Sequence, residues 1–200
     1  MSSILYTLGD NLYVNLTNQC PCNCVFCLRG SYNGLGSADN LWLEEEPTPR
    51  QVLTELKNYD LYQYGEIVFC GYGEPFCALD TLLEVSRALR IQSGIKIRIN
   101  TNGLGDLIQA KATAPLLDGL IDALSISLNA PDAQTYLKLC RPKFGLEAYD
   151  AILVFAEACK KYVPQITFTV VENTIPPDEI KVCEQIAQSA GIPLRVRSFN

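Results

Sequence analysis

Histidine is absent from this chain of 200 residues, and its absence removes several kinds of site. Without an imidazole there can be no Ser-His-Asp or Cys-His nucleophile system and no histidine-ligated zinc site. A catalyst built from this sequence must therefore depend on carboxylates, thiols, lysine, tyrosine or a bound cofactor.

Long hydrophobic runs and runs of basic residues are also missing. No stretch approaches the length of a membrane span, and the N-terminus lacks the basic and apolar segments of a signal peptide. The net charge of −6, without a Lys or Arg run, argues against a nonspecific nucleic-acid surface. These features predict a cytoplasmic protein with no membrane partner, in a compartment where thiols stay reduced.

Length and composition predict a single domain over residues 1–200. A chain of this size can bury a substantial core, and its 48% hydrophobic and 19% charged residues are ordinary for a globular protein. We see no linker, internal repeat or low-complexity tract.

Strand-like and helix-like segments alternate, which predicts an α/β fold with a parallel sheet and outer helices. We expect strands over residues 12–17, 66–71, 96–102, 123–129, 165–171 and 194–199. We expect helices after Thr48, from a cap at Asp80, and over residues 107–117, 132–139, 146–162 and 177–190. Six strands cannot close an eight-stranded barrel, so we expect an open, partial (β/α)6 TIM-like barrel with its reactive end at the carboxyl edge of the sheet.

The most informative stretch is Cys20-Pro-Cys-Asn-Cys-Val-Phe-Cys27, which holds four of the nine cysteines and follows the first predicted strand. Cys20, Cys24 and Cys27 have the spacing C-x3-C-x2-C. Thiolates from one loop suit an iron–sulfur cluster, because soft sulfur ligands hold iron well. Three ligands to a four-iron cube would leave one iron open to another molecule. The extra Cys22 allows two other triplets, Cys20/Cys22/Cys27 and Cys22/Cys24/Cys27.

Two other readings of the cysteines remain. A zinc site could use all four thiols, but Cys20, Cys22 and Cys24 follow one another too closely for the usual zinc layout of two separated C-x2-4-C pairs. A disulfide is disfavoured by the expected reducing compartment.

Polar residues follow the predicted strands, where a ligand would bind. Gly71-Tyr-Gly-Glu-Pro75 comes after the second strand; its glycines permit close approach of a ligand and Glu74 can accept hydrogen bonds from an ammonium group. Alternation along the next two strands places two polar rows on one face each: Arg98, Asn100 and Asn102, then Ser125, Ser127 and Asn129. Buried polar groups need partners, so either a ligand binds there or the rows satisfy each other. Arg195 and Arg197 share a face of the last strand and would hold an anionic substrate if that face points inward.

The motifs CPCNCVFC, NLWLEEEP, FCGYGEP, NTNG, SISLNAPD and CRPKFG together resemble the radical S-adenosylmethionine (SAM) superfamily, and within it the TatD-associated (TatD-linked) radical SAM proteins. The resemblance implies a partial TIM barrel and a [4Fe–4S] cluster on Cys20, Cys24 and Cys27. It also implies that SAM chelates the open iron and is cleaved reductively to a 5′-deoxyadenosyl radical, which abstracts hydrogen from a substrate that the resemblance does not identify.

The resemblance further implies which residues hold SAM. Phe26 would pack beside the adenine, and the segment Gly71, Tyr72, Gly73 and Glu74 would bind the amino group, although Tyr72 separates two glycines that are often adjacent in the family. The SAM carboxylate and ribose would be held by Ser127, Asn129, Asn102 and Arg141.

Partners follow from the same resemblance. We expect an electron donor such as flavodoxin or ferredoxin and a functional link to a TatD-like hydrolase.

Cys140 would be a candidate hydrogen-atom donor, and the loop over residues 28–47 would either cover the substrate or anchor itself to the barrel. The competing hypothesis is a noncatalytic iron–sulfur or zinc-binding module that acts with a partner protein.

Overall fold

A single seven-stranded sheet organises the computed structural model, which describes residues 2–30 and 33–198. The strands occur in the sheet in chain order: β1 (Leu5–Leu8), β2 (Asn11–Val14), β3 (Glu66–Phe69), β4 (Lys96–Thr101), β5 (Ala123–Ser127), β6 (Gln165–Val171) and β7 (Leu194–Arg197). β1 and β2 form an antiparallel hairpin, and every later neighbour is parallel. The sheet stays open, so the predicted partial barrel is confirmed.

Six helices connect the parallel strands: α1 (Pro49–Leu56), α2 (Leu79–Gln92), α3 (Gly105–Gln109), α4 (Ala133–Cys140), α5 (Glu147–Cys159) and α6 (Pro177–Ser189). The main core lies between them and the sheet, and alternate strand residues such as Ile97, Leu124 and Phe168 are fully buried in it. Phe76 and Phe155 meet edge to face there, with ring centroids 5.4 Å apart. None of the helices in the described ranges is long and apolar enough to cross a bilayer.

A smaller apolar cluster lies on the concave face of the sheet. It joins Tyr6, Tyr13 and Val68 of the first three strands to Leu41 and Tyr72. Leu41 belongs to the long segment that follows the cysteine loop, so this segment packs against the barrel interior beside β1, β2 and β3.

The N-terminal strand β1 was not predicted. The sequence signal for it is Gly9-Asp10 between two short apolar runs, with Gly9 at φ +58°, a turn that pairs Leu8 with Asn11. The first predicted strand, residues 12–17, corresponds to β2, which is shorter and begins one residue earlier, at Asn11. It ends at Val14 because the following residues leave the sheet and lead into the cysteine loop.

Two helix predictions need correction. Asp80 does not cap its helix: α2 begins at Leu79 after a 3-10 turn, so Asp80 lies in the first turn, where its charge still favours the helix. The helix expected over residues 107–117 is two short pieces, α3 and a 3-10 turn at Ala114–Leu117, because Ala110 ends α3 with φ +51°. The expected helices at residues 132–139 and 177–190 are confirmed within two residues.

Helix α4 starts from a strong cap. The Asp132 carboxylate accepts hydrogen bonds from the backbone N–H groups of Gln134 and Thr135, at 2.8 and 2.9 Å between nitrogen and oxygen. These bonds, the one from Thr135 foremost, hold the pKa of Asp132 below its ordinary value. The cysteine loop is hydrogen-bonded to the other end of α4, so the cap also stabilises the helix on which this loop docks.

Replacing Asp132 with alanine should lower the free energy of unfolding by about 1 kcal/mol, the usual loss for an N-cap. Asp132→Asn keeps an acceptor and should lose clearly less. Because the folded-state pKa is lowered, the contribution of Asp132 exists above about pH 4 and is lost as the pH falls further. Urea unfolding of the three proteins at pH 7 and at low pH measures this; equal midpoints for wild type and Asp132→Ala would contradict it.

Candidate functional site

A cavity of about 330 Å³ opens at the carboxyl ends of the parallel strands, a volume in the range of small-molecule sites. It is lined by all the predicted site residues except Arg141: Cys20, Cys24, Phe26, Cys27, Gly71, Tyr72, Gly73, Glu74, Asn102, Ser127 and Asn129. Four separate chain segments thus converge on one site.

Arg141 is not brought to this cavity. It is exposed and ends α4 in the left-handed conformation, with φ +47°. The resemblance placed Arg141 at the site. Its neighbour Cys140 does contact the cysteine loop, but Arg141 itself does not line the cavity. A contact between Arg141 and SAM therefore stays a prediction from the resemblance only.

Backbone hydrogen bonds fix the cysteine loop on the end of α4. The N–H groups of Asn23 and Val25 donate to the carbonyl oxygens of Cys140 and Leu139, at 3.0 and 2.9 Å. The N–H of Lys143 donates to the carbonyl of Pro21 at 2.9 Å. The last carbonyls of a helix have no partner within it, so the loop completes the helix and takes its position from it.

The thiols of this loop are not equivalent. Cys22 is buried and Cys20, Cys24 and Cys27 are half-buried, and all four line the cavity. A hydrogen bond from the Cys22 thiol lowers the pKa of Cys20 to about 7, and hydrogen bonds from Cys140 and then Cys22 lower the pKa of Cys24 to about 4. The same bonds raise the pKa of Cys22 and Cys140. The arrangement therefore favours the thiolate form of Cys20 and Cys24 and the thiol form of Cys22 and Cys140.

Arg29 is a site residue that the sequence analysis missed. Its Nε donates to the Cys27 Sγ at 3.2 Å, and its Nη2 and Nη1 donate to the backbone carbonyls of Cys22 and Asn18 at 3.1 and 3.4 Å. Its positive charge also acts on Cys20 and Cys24. The only signal in the sequence is a basic residue two positions after Cys27, which without the fold is indistinguishable from a surface arginine.

The glycines after β3 line the cavity and also allow close approach of another chain segment, while their contact with a ligand stays a prediction. A Cβ added to Gly71 would lie 2.0 Å from Asn15 Oδ1, and one added to Gly73 would lie 2.2 Å from the carbonyl oxygen of Thr17. The backbone N–H of Glu74 donates to the carbonyl of Gln19 at 2.8 Å. The glycines thus admit the chain segment that leads into Cys20, and the space that a side chain would occupy is filled by protein.

Glu74 connects two strand ends from a buried position. Its carboxylate accepts hydrogen bonds from Thr101 Oγ1 and the Asn102 N–H, both at 2.7 Å, and from the Phe76 N–H at 3.2 Å. Burial, followed by the negative charge of Cys20, raises the pKa of Glu74 to about 8. A carboxylate has about four acceptor positions, so one remains for a donor in the cavity.

The two polar rows differ in how they are satisfied. Arg98 donates to Glu66 Oε1 at 3.0 and 2.7 Å and to Asn100 Oδ1 at 2.6 Å, so this part of the concave face is satisfied internally. Asn129 is buried, yet its Oδ1 has no partner in the described ranges, while its Nδ2 donates to Cys140 Sγ at 3.6 Å. Asn129 therefore presents an open acceptor where a ligand would lie.

The segment after the cysteine loop is anchored to the barrel and also forms one wall of the cavity. Asn18 exchanges hydrogen bonds with the backbone of Leu43, at 2.7 and 3.0 Å. The Trp42 ring meets the Tyr72 ring edge to face with centroids 5.2 Å apart. Leu35 and Leu41 line the cavity. Both expected roles, anchor and cover, thus involve the same segment; residues 31 and 32 of the expected loop lie outside the described residues.

Replacing Gly73 with alanine should lower the free energy of unfolding by about 1–3 kcal/mol, because the new Cβ overlaps the Thr17 carbonyl and must displace backbone. Gly94→Ala is the matched control, since its Cβ would meet no atom within 4 Å. Denaturant unfolding measures both. A Gly73→Ala protein as stable as Gly94→Ala would show that the two segments do not pack as described.

Comparisons with known proteins were made on sequence and on structure. Residues 14–179 match the Radical SAM superfamily. A GTP 3′,8-cyclase of Lactiplantibacillus plantarum is 27% identical over 165 residues, covering 82% of this chain and 46% of its own length. A probable dual-specificity RNA methyltransferase RlmN 1 of Protochlamydia amoebophila is 30% identical over 191 residues, covering 89% of this chain and 49% of its own.

The fold is shared with solved structures. Streptococcus suis SuiB bound to its precursor peptide SuiA superimposes with a TM-score of 0.71 at 17% identity, over 98% of this chain and 40% of SuiB. SuiB bound to SAM gives a TM-score of 0.65 at 18% identity, over 94% and 38%. The chain spans about half the length of these curated relatives or less. From the thiol loop, the partial barrel and the match over residues 14–179, the chain belongs to the radical SAM superfamily.

Proposed function

We propose that this chain is a radical SAM enzyme whose cluster is held by Cys20, Cys24 and Cys27 and whose SAM lies in the cavity at the strand ends. Members of the family use a [4Fe–4S] cluster and SAM. When bound, the reduced cluster would supply one electron that cleaves SAM to methionine and a 5′-deoxyadenosyl radical, which would remove a hydrogen atom from the substrate. The observation that carries the proposal is the convergence of the three thiols with the strand-end polar residues on one cavity.

The residues present fit these cofactors. Soft thiol ligands on one loop suit a cluster of irons. All four loop thiols line the cavity, and Cys20, Cys24 and Cys27 are the more exposed of them.

The choice of ligands follows exposure as well as spacing. Cys22 has a buried thiol beside the Tyr136 hydroxyl, at 3.9 Å, and donates to its neighbours. Its role is to hold Cys20 and Cys24 in place, as is that of Cys140 for Cys24. A partner that orients a ligand in this way affects metal affinity without touching the metal.

SAM would be held by groups that still have bonding capacity. The free acceptor position of Glu74 suits the SAM ammonium, and the open Oδ1 of Asn129 suits a ribose hydroxyl. Ser127 and Asn102 lie on the same lining and would bind the remaining polar groups, while Phe26 supplies an apolar surface for the adenine. Each of these assignments is part of the proposal.

The identities of the substrate and partners rest on sequence. Membership of the TatD-associated subgroup, a TatD-like hydrolase as functional partner, a flavodoxin or ferredoxin as electron donor and a cytoplasmic location stay predictions. The relatives include enzymes named for GTP cyclisation and RNA methylation, so the prediction that nucleic acid is not a partner also stays open to test.

Cys24→Ala should abolish 5′-deoxyadenosine formation from SAM and dithionite after anaerobic reconstitution, because the cube loses one of three protein ligands. The wild type should hold about four irons per chain. Cys22→Ala should keep the cluster and lose about 10- to 100-fold in rate, as expected for a residue that orients ligands. Cys159→Ala, which alters a buried helix thiol away from the cavity, is the control.

The reverse pattern, with turnover in Cys24→Ala and no cluster in Cys22→Ala, would assign Cys22 as the ligand. A wild-type protein that binds zinc, or a cluster whose absorption SAM does not perturb, would favour the noncatalytic module instead.

Arg29→Gln should lower the reduction potential of the cluster. The guanidinium and its N–H···S bond to Cys27 stabilise the more negative, reduced state. We expect a shift on the order of tens of millivolts, since ~59 mV corresponds to a tenfold change for one electron. Redox titration followed by electron paramagnetic resonance measures it. Arg87→Gln changes the net charge equally at an exposed position on α2 and should leave the potential unchanged; equal potentials in all three proteins would refute a role for Arg29.

A further inference from the structure

Three arginines lie in or beside the cavity, and two of them are already bonded. Arg29 donates to Cys27 and to two backbone carbonyls. Arg98 forms an ion pair with Glu66, at 2.7 Å from Nη2 to Oε1, and also bonds Asn100. The third, Arg197, lines the cavity at the other end of the sheet.

Arg197 is the last residue of β7, where the register places it opposite Val171 of β6. Its charge interacts with Cys70, Tyr13 and Arg98, residues of β2, β4 and the end of β3, so the side chain faces across the concave interior. Arg195 shares its strand face two residues earlier but is exposed and does not line the cavity. The inward face expected from the sequence thus holds for Arg197.

Among residues 2–30 and 33–198, the guanidinium of Arg197 has no acidic ion-pair partner. Its Nε is buried and makes no hydrogen bond to any residue that the structure describes. None of the three ion pairs found in residues 2–30 and 33–198 includes it. Its charged neighbours on β4 and β7, Arg98 and Arg195, are themselves positive.

Such an arrangement is unfavourable for the empty protein. Arginine does not lose its proton near neutral pH, so it cannot escape the cost of burial by becoming neutral. Arg197 as a whole is half-buried, with its Nε fully buried, and a charge withdrawn from water in this way is stabilised when it is paired and hydrogen-bonded. The planar guanidinium fits a carboxylate or a phosphate with two parallel hydrogen bonds, and these are among the stronger ones in proteins.

We propose that Arg197 binds an anionic group of the substrate, a carboxylate or a phosphate. The inference rests on the proposed function, because it assumes that the cavity holds a substrate beside SAM. The positive charge of Arg29 interacts with the loop thiols, whereas that of Arg197 interacts with residues of the strands. The anion at Arg197 is therefore assigned to the substrate and not to SAM.

The test measures thermal unfolding of reconstituted protein under anaerobic conditions. Inorganic phosphate and succinate are added separately at constant ionic strength, balanced with sodium chloride, and the rise in Tm with concentration gives an apparent Kd. Wild type is compared with Arg197→Gln, Arg197→Lys and the matched control Arg195→Gln, which removes the same charge from an exposed position on the same strand face.

We expect at least one of the two anions to bind wild type, and the better one to identify the carboxylate or phosphate class. Arg197→Gln should weaken its binding about tenfold or more, the value of a charge-assisted hydrogen bond. Arg197→Lys should fall between, and Arg195→Gln should match wild type. Without anion, Arg197→Gln should be at least as stable as wild type, because it removes an unpaired charge.

Three results would overturn the inference: neither anion raises the Tm of wild type, Arg195→Gln loses as much affinity as Arg197→Gln, or Arg197→Gln is less stable than wild type without anion. SAM affinity is measured in parallel by perturbation of cluster absorption. An equal loss of SAM affinity in Arg197→Gln would assign the anion to the SAM carboxylate and also refute the proposal.

The two proposals fail separately. Normal 5′-deoxyadenosine formation by a protein that binds neither anion would refute the substrate class alone. Anion binding that depends on Arg197 in a protein without SAM cleavage would refute the radical chemistry alone.

Discussion

The site depends on the hydrogen bonds between the cysteine loop and the end of α4. Within the eight-residue loop, the Cys27 N–H donates to the Cys24 carbonyl at 3.2 Å, and most of the loop's shape comes from contacts outside it. The carbonyl groups at the end of α4 accept from Asn23 and Val25, and they are available only because a helix leaves its last carbonyls unpaired. The loop therefore takes its shape from a helix that begins more than a hundred residues later in the chain.

Charge in the cavity follows from the same arrangement. Thiolates at Cys20 and Cys24 are stabilised by S–H donors from Cys22 and Cys140, and the positive charge of Arg29 lies beside them. Glu74 is buried near this negative charge, and its pKa rises accordingly. Arg197 acts instead on Cys70 and Tyr13 of the first strands. The cavity is thus divided into a thiolate region held by one arginine and a second region with a positive charge of its own.

Much of the fold could be predicted from sequence, because β-branched and aliphatic runs alternate with helical periodicity and because buried parallel strands have few polar interruptions. The polar residues that do occur, such as Asn102, Ser127 and Asn129, mark the strand ends and were found for that reason. The subgroup and the substrate could not be reached in this way, since neither is determined by the residues that hold a common cofactor.

What the sequence could not supply was contact between distant segments. Arg29 and Arg141 look alike as isolated basic residues near cysteines, yet only Arg29 reaches a loop thiol. The sequence marked Gly71 and Gly73 as residues beside a ligand but could not show that Asn15 and Thr17 also lie against them. The strand β1 was overlooked because its four residues carry too little periodicity to stand apart from an irregular N-terminus.

The distance along the chain between the cysteine loop and α4 has a consequence for biogenesis. Residues 20–27 leave the ribosome long before residue 140, and until α4 has folded their backbone has no surface to dock on. The three thiols acquire their mutual arrangement only after most of the βα units are in place. A ligand that needs the three thiols in this arrangement can therefore bind only to a chain that has folded at least through α4.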